Sequence, residues 1–326
     1  MELNEIITVI REFDGIKRKH NLSDLVRPLK ETLDLGRINV VADFGEDSAV
    51  FSLPNFTDHY FLMALDGIWH KLISADPELA GYFSILVNAN DIYCKGGTPI
   101  AMVNNLGYID IETGNKIIRG IIKGCKKFGI PMVGGHTHPN EAINSLAVAV
   151  LGIVRKEDII LSSTAKVGDK IIMAIDLDGK FNEKFVYAWD TTNHKSSGQV
   201  QKICGTMNEL ARNKLLTAAK DISNPGNIGT LSMLLEYSRV GAILDIEKIP
   251  IPENIDIKRW IMAYPGFGIV CTAKEENVKR CIEIFTENGI AANECGIIIS
   301  EKKLELVYKN EKRVLFDFNH DKILGF

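Results

Sequence analysis

No stretch of this 326-residue chain is long and apolar enough to cross a bilayer. The longest apolar run, LAVAVLGIV at 146–154, is about half of the ~20 residues a membrane helix needs. Charge of one sign is missing as well. Lys+Arg 38 against Asp+Glu 42 leaves −4 at pH 7, which argues against a surface built to neutralise nucleic-acid phosphates. The segment MELNEIITVIREFDGIKRKH starts with acids and lacks the apolar core and cleavage site of a signal peptide. The six cysteines (Cys94, Cys125, Cys204, Cys271, Cys281, Cys295) form no CxxC pair, and read as reduced, mostly buried thiols of a cytosolic protein. GxGxxG, Walker A and HExxH are absent. What is present, 46% hydrophobic and 25% charged residues, belongs to a packed globular protein and excludes global disorder. The expectation is a cytoplasmic protein with neither membrane nor nucleic acid as partner.

The pattern along the chain predicts an α+β fold, since strands and helices alternate without a regular βα rhythm. Residues 1–35 carry helical signals, and INVVAD, SAVFSL and HYFLMALD follow as strands. Asp76-Pro77 is a helix start, Gly96-Gly97 its stop, and Gly129 stops a second helix whose inner face carries Ile117, Ile121 and Phe128. RKEDIILSSTAKVG at 155–168 is the best boundary, giving domains 1–158 and 159–326. In the second half, long helices are expected over about 198–220 and 226–239, with FGIVCTA at 267–273 as a strand.

Four polar clusters interrupt apolar segments. GEDSAV at 45–50 puts Glu46 and Asp47 on a glycine turn, and ALDGIWHKL at 64–72 ends a hydrophobic strand on Asp66. In VNANDIYCKGG at 87–97, Asn88, Asp91 and Lys95 fall at i, i+3 and i+7 and share a helix face in apolar company. In VGGHTHPN at 133–140, Gly134 and Gly135 end a buried strand with N–H groups free to meet an anion. His136 and His138 are expected to face opposite ways, leaving no shared zinc site. Asp176, Lys180 and Asp221 are expected as loops and caps. Clustered carboxylates repel by about 4 kcal/mol per pair at 4 Å and an effective dielectric near 20, so they imply a bound cation. Carboxylates plus glycine backbone also suit a nucleotide triphosphate held without a P-loop.

In this order, GEDSAV, ALDGIWHKL, NANDIYCKGGTP and GGHT resemble the successive motifs of the aminoimidazole-ribonucleotide synthetase superfamily. That superfamily includes thiamine-monophosphate kinase, selenophosphate synthetase and a carbamoyl-dehydrating hydrogenase-maturation enzyme. The likeness continues through STAKVGDKII, DISNPGNIGTLSMLLE and AILDIEKIPIP, and is strongest to the synthetase-related branch that includes methanogenesis marker protein 2. The resemblance implies an N-terminal α+β domain dimerising through its sheet, and a C-terminal α+β domain closing over a cleft that holds ATP and Mg²⁺, with Mn²⁺ as the alternative ion. It implies Asp47, Asp66 and Asp91 as metal ligands, and Asn88, Lys95, Gly134, Gly135 and Thr137 near the nucleotide. Asp66, Asp91 and His136 would serve the chemistry, phosphoryl transfer to an oxygen of a small molecule. A non-catalytic ATP-binding protein used in regulation or cofactor assembly is the alternative.

Departures narrow the resemblance. His136 stands where relatives carry an acid, a poor match for hard Mg²⁺, and is expected to meet phosphate or substrate instead. Asn224 replaces an acid of the thiamine-monophosphate kinases. The early cysteine of selenophosphate synthetase and the terminal cysteine of the carbamoyl-dehydrating enzyme are both missing.

Overall fold

The computed structural model describes residues 2–20 and 22–326. Three helices open the chain, α1 (Glu2–Glu12), α2 (Asp14–Lys17) and α3 (Leu22–Val26), followed by a 3-10 turn at Arg27–Thr32. A six-stranded sheet comes next, from β1 (Asn39–Ala42), β2 (Ala49–Ser52), β3 (His59–Gly67), β4 (Thr98–Tyr108), β5 (Met132–Pro139) and β6 (Ser145–Arg155), in the order β1-β2-β3-β6-β4-β5. Helices α4 (His70–Ala75), α5 (Pro77–Tyr93) and α6 (Ile111–Phe128) interrupt these strands.

Asp76 starts α5 as expected, its side chain accepting the Leu79 N–H at 3.0 Å with Pro77 in the first turn. Gly129, at φ +72°, ends α6 in the left-handed region. Two glycines allow α5 and α6 to touch backbone to backbone. A Cβ on Gly81 would lie 2.1 Å from the Ile117 carbonyl, and one on Gly120 would lie 1.9 Å from that of Glu78.

The second half holds a seven-stranded sheet and a small three-stranded one. In chain order the strands are β7 (Lys170–Ile175), β8 (Lys180–Phe181), β9 (Ala188–Asp190), β10 (Ala218–Asp221), β11 (Gly241–Asp245), β12 (Tyr264–Pro265), β13 (Gly268–Ala273), β14 (Ala291–Ile299), β15 (Lys303–Tyr308) and β16 (Glu311–Asp317). The large sheet runs β10-β13-β7-β14-β11-β15-β16, the small one β12-β9-β8. Helices α7 (Ser197–Arg212), α8 (Gly226–Ser238), α9 (Ile257–Trp260) and α10 (Glu275–Glu287) complete the chain. The α+β expectation holds. Among the described residues no helix is long and apolar enough to cross a membrane.

Two expectations need correction. The helix expected over 198–220 ends at Arg212, Lys214 turns the chain at φ +54°, and 218–221 is strand β10 beside β13. The first thirty or so residues do not belong wholly with the first sheet. Leu3, Ile6 and Ile10, one face of α1 at helical spacing, and Ile16 of α2 pack into a core shared with α8, Trp260 and one face of the large sheet. A separate core joins the first sheet, α5 and α6 to α7, α10 and the opposite face of the large sheet. The packing face of the first sheet is already covered by α5, so the arm's apolar stripe has its room on the second half.

Candidate active site

A cavity of about 590 Å³ opens where the opening arm, the first sheet and the second half meet. The sequence places acids on it from four directions. Asp47 comes from the turn before β2, Asp66 from the end of β3, Asp91 from the last turns of α5, and Asp221 from the end of β10. Strand ends and loop tips suit this role, because backbone that leaves a sheet can aim side chains into a cleft. Trp69, Phe83, Phe185 and Tyr264 form apolar wall around the same space. Arg18 lies over the Trp69 ring, its guanidinium carbon 5.5 Å from the centroid.

The acids divide into two groups by what they touch. Glu46 accepts from Ser162 N–H at 2.9 and 3.0 Å, from Ser162 Oγ at 2.6 Å, from Ser163 N–H and Oγ at 3.2 Å, and from Lys95 Nζ at 2.7 Å. It therefore clamps the segment joining the two halves. Lys95 is fully buried and directs its three donors to Glu46, to Asp47 Oδ2 at 2.9 Å and to the Ala219 carbonyl at 3.0 Å. Asp47 has its other oxygen in contact with Lys220 Nζ. Burial pushes the Asp47 carboxyl up, yet the Lys220 and Lys95 ammoniums outweigh it and hold the group at about 2.

Asp66, Asp91 and Asp221 have no hydrogen bond or ion pair to their carboxylates among the described residues. Their ionisation is opposed. Burial raises Asp91 well above the ordinary carboxylate range, and the charges of Asp66, Asp221 and Asp47 add to it. Burial, then Asp47, pushes Asp221 up to about 7. Asp66 is raised by burial, with the Lys19 ammonium opposing. Lys19 itself is lowered, by burial and then by Lys220. Carboxylates that line one cavity without a partner among the described residues are, by their chemistry, the oxygen donors a hard divalent cation takes.

The expected site residues do not all share this hollow. Asp47, Asp66 and Asp91 do. Lys95 stands behind Asp47 as its buried partner and reaches no ligand space. Asn88 is fully buried, donates to the Ser84 carbonyl at 2.9 Å and leaves its Oδ1 without a partner among the described residues, away from the cavity. Asn90, two residues on, lines the cavity instead, donating to the Gly266 carbonyl at 3.0 Å.

Gly134, Gly135, His136 and Thr137 lie on β5, an exposed edge strand rather than the end of a buried one. The register Asp66↔Val148↔Asn104↔Gly135 puts Asp66 and Gly135 in one transverse row three strands apart, roughly 14 Å at ordinary strand spacing. That exceeds any single ion's reach. His136 and His138 face the same way, not opposite ways, with ring centroids 4.4 Å apart, because residues two apart on a strand share a face. Lys220 and Asn224 also line the cavity, and Asp221, expected as a cap, is a core member of the acid cluster. Asp176, the other acid of the second half, is held by Lys195 at 3.1 Å and lies outside the cavity.

Comparison with known proteins bears on this site. Residues 45–154 match the model of the AIR synthase related protein, N-terminal domain, and residues 167–309 that of its C-terminal domain. The chain is 45% identical over 329 residues to an uncharacterised protein, MJ0640, of Methanocaldococcus jannaschii, covering all of both chains. It is 24% identical to the thiamine-monophosphate kinase of Buchnera aphidicola, over 87% of this chain and 93% of that one. Among solved structures, Thermotoga maritima PurL complexed with AMPPCP matches at TM-score 0.71 and 15% identity, over 95% of this chain and 49% of PurL, so this chain spans about half of PurL. A ThiL complexed with AMPPCP and TMP matches at TM-score 0.64 and 16% identity, over 90% of this chain and 96% of that one.

Proposed function

The chain belongs to the AIR synthase-related family, and on that premise we propose that it is an ATP-dependent enzyme transferring a phosphoryl group to an oxygen of a small molecule. The observation that carries this reading is the convergence of Asp66, Asp91 and Asp221, unpaired among the described residues, on one cavity between the halves. These three would hold Mg²⁺, or Mn²⁺ in its place, and the ion would supply neutralising charge for the phosphates. The rest falls to the chain's own residues. Asp47, fixed by two lysines, braces the cluster, while Lys19 and Arg18 bring positive charge to its rim. Trp69, Phe83, Phe185 and Tyr264 offer an apolar wall to the acceptor and keep water from the reacting oxygen. Such catalysis is mainly positioning and charge neutralisation.

Homodimerisation through the first sheet is part of the proposal. Met63, Leu65, Val103 and Val133 stand exposed on that sheet and give it an apolar outer surface that a second copy would cover. ADP release by the purified chain with Mg²⁺ and a metabolite pool tests the reading, with Asp91→Asn as control. Binding of AMPPCP without any turnover under every pool would favour the non-catalytic alternative. Absence of both binding and turnover would reject the proposal.

A further inference from the structure

We infer that the Lys220 ammonium is a resident cation of the acid cluster, seated against Asp47 where a second divalent ion would otherwise bind. The inference rests on the proposed cation site and adds a count to it: one exchangeable ion per chain instead of two.

Three observations carry it. A carboxylate oxygen of Asp47, the Cys94 sulfur and a carboxylate oxygen of Asp221 all lie within 4.8 Å of one another, the spacing of ligands around one ion. Asp221 is only 7% exposed, has no partner among the described residues, and lines the cavity. Lys220 is 5% exposed, and its Nζ has Asp47 as its one hydrogen-bond partner among the described residues. It thus lies in the field of the Asp47–Asp221 pair with donors to spare, unlike Lys95, whose three donors are all placed. An ammonium carries one charge where a divalent ion carries two, and the Lys220 Nζ donates to Asp47 and not to Asp221. Together with Lys95 it neutralises Asp47, and it leaves Asp221 to the proposed ion.

The test counts Mn²⁺ bound per chain by electron paramagnetic resonance, using the full chain stripped of metal. Lys220→Met has similar length and no charge, and Lys220→Gln, which retains a donor toward Asp47, serves if the first fails to fold. The expected result is one additional ion per chain in either variant, returning to the wild-type count in Lys220→Met combined with Asp47→Asn. Equal counts in wild type and both single variants overturn the inference, including a count of zero throughout. An extra ion that survives Asp47→Asn overturns it as well. If the wild type binds no ion and Lys220→Met binds one, the inference stands while the proposed cation site of the wild type falls.

Discussion

Glu46 and Asp47 form one flank of the acid cluster and Asp66, Asp91 and Asp221 the other; all five line the cavity, yet their charges are met in opposite ways. On the first flank two acids face two buried lysines, and Asp47 ionises more readily than in water. On the second, three acids have no direct partner among the described residues, and each resists ionisation. Acids alone therefore do not mark a metal site. A carboxylate whose oxygens already accept from ammoniums is part of the frame. One left with unopposed charge is where a mobile cation has something to neutralise.

The largest expected effects follow from exchanging the two situations. Lys95→Met leaves Glu46 with no ammonium and Asp47 with Lys220 alone, and removal of one member of a buried ion pair typically costs about 3–5 kcal/mol. Urea unfolding should show a loss of that order. A loss below about 1 kcal/mol would mean that the framed flank is no frame. Asp91→Asn should do the reverse. It removes a carboxylate raised by burial and by three other acids, so without divalent cations the folded chain should gain stability. The same change should abolish the stabilisation that added Mg²⁺ and nucleotide give the wild type, read as a shift in melting temperature.

How far the sequence disclosed this arrangement depends on where each residue sits. Asp47, Asp66 and Asp91 were legible because each interrupts an apolar segment at a turn, a strand end or a helix end. Helical spacing also put Asn88 and Lys95 on the face of Asp91, but α5 is buried on every side, so spacing alone does not say which face meets the hollow. Lys220 was hidden in LLTAAK, whose leucines, alanines and lysine read as the end of a helix, and Asp221 just beyond it read as a loop or cap, until tertiary pairing with β13 makes both strand. The following Ser223-Asn224-Pro225-Gly226 was a signal for the end of an element that could have located them. The opening arm misled for another reason: an amphipathic stripe announces that it packs, not against which sheet.

Titration separates the flanks without mutation. Asp221 has its folded value raised from 3.8 to about 7, so its contribution to stability is fully present below about 3.8 and lost as pH rises through 7. Asp47 is lowered from 3.8 to about 2, so its contribution is present above 3.8 and lost as pH falls through 2. In chelator, stability should therefore fall between pH 4 and 7, and Mg²⁺ should restore it most at the upper end of that window. Asp221→Asn should flatten this slope and leave the acid limb in place. A slope that persists in Asp221→Asn would assign the window to another group, with Asp91 the next candidate.

The smallest expected effect concerns His136, which belongs to neither flank within one chain. It is exposed on β5, and the row of paired residues puts that strand roughly 14 Å from Asp66. His136→Asn should change folding stability by less than about 0.5 kcal/mol and leave the Mn²⁺ count unaltered. Loss of an ion in this variant would tie His136 to the acid cluster. Since no single ion bridges that distance, the imidazole would have to reach the unopposed acids of a second copy, and the count should then fall with dilution of the chain as well.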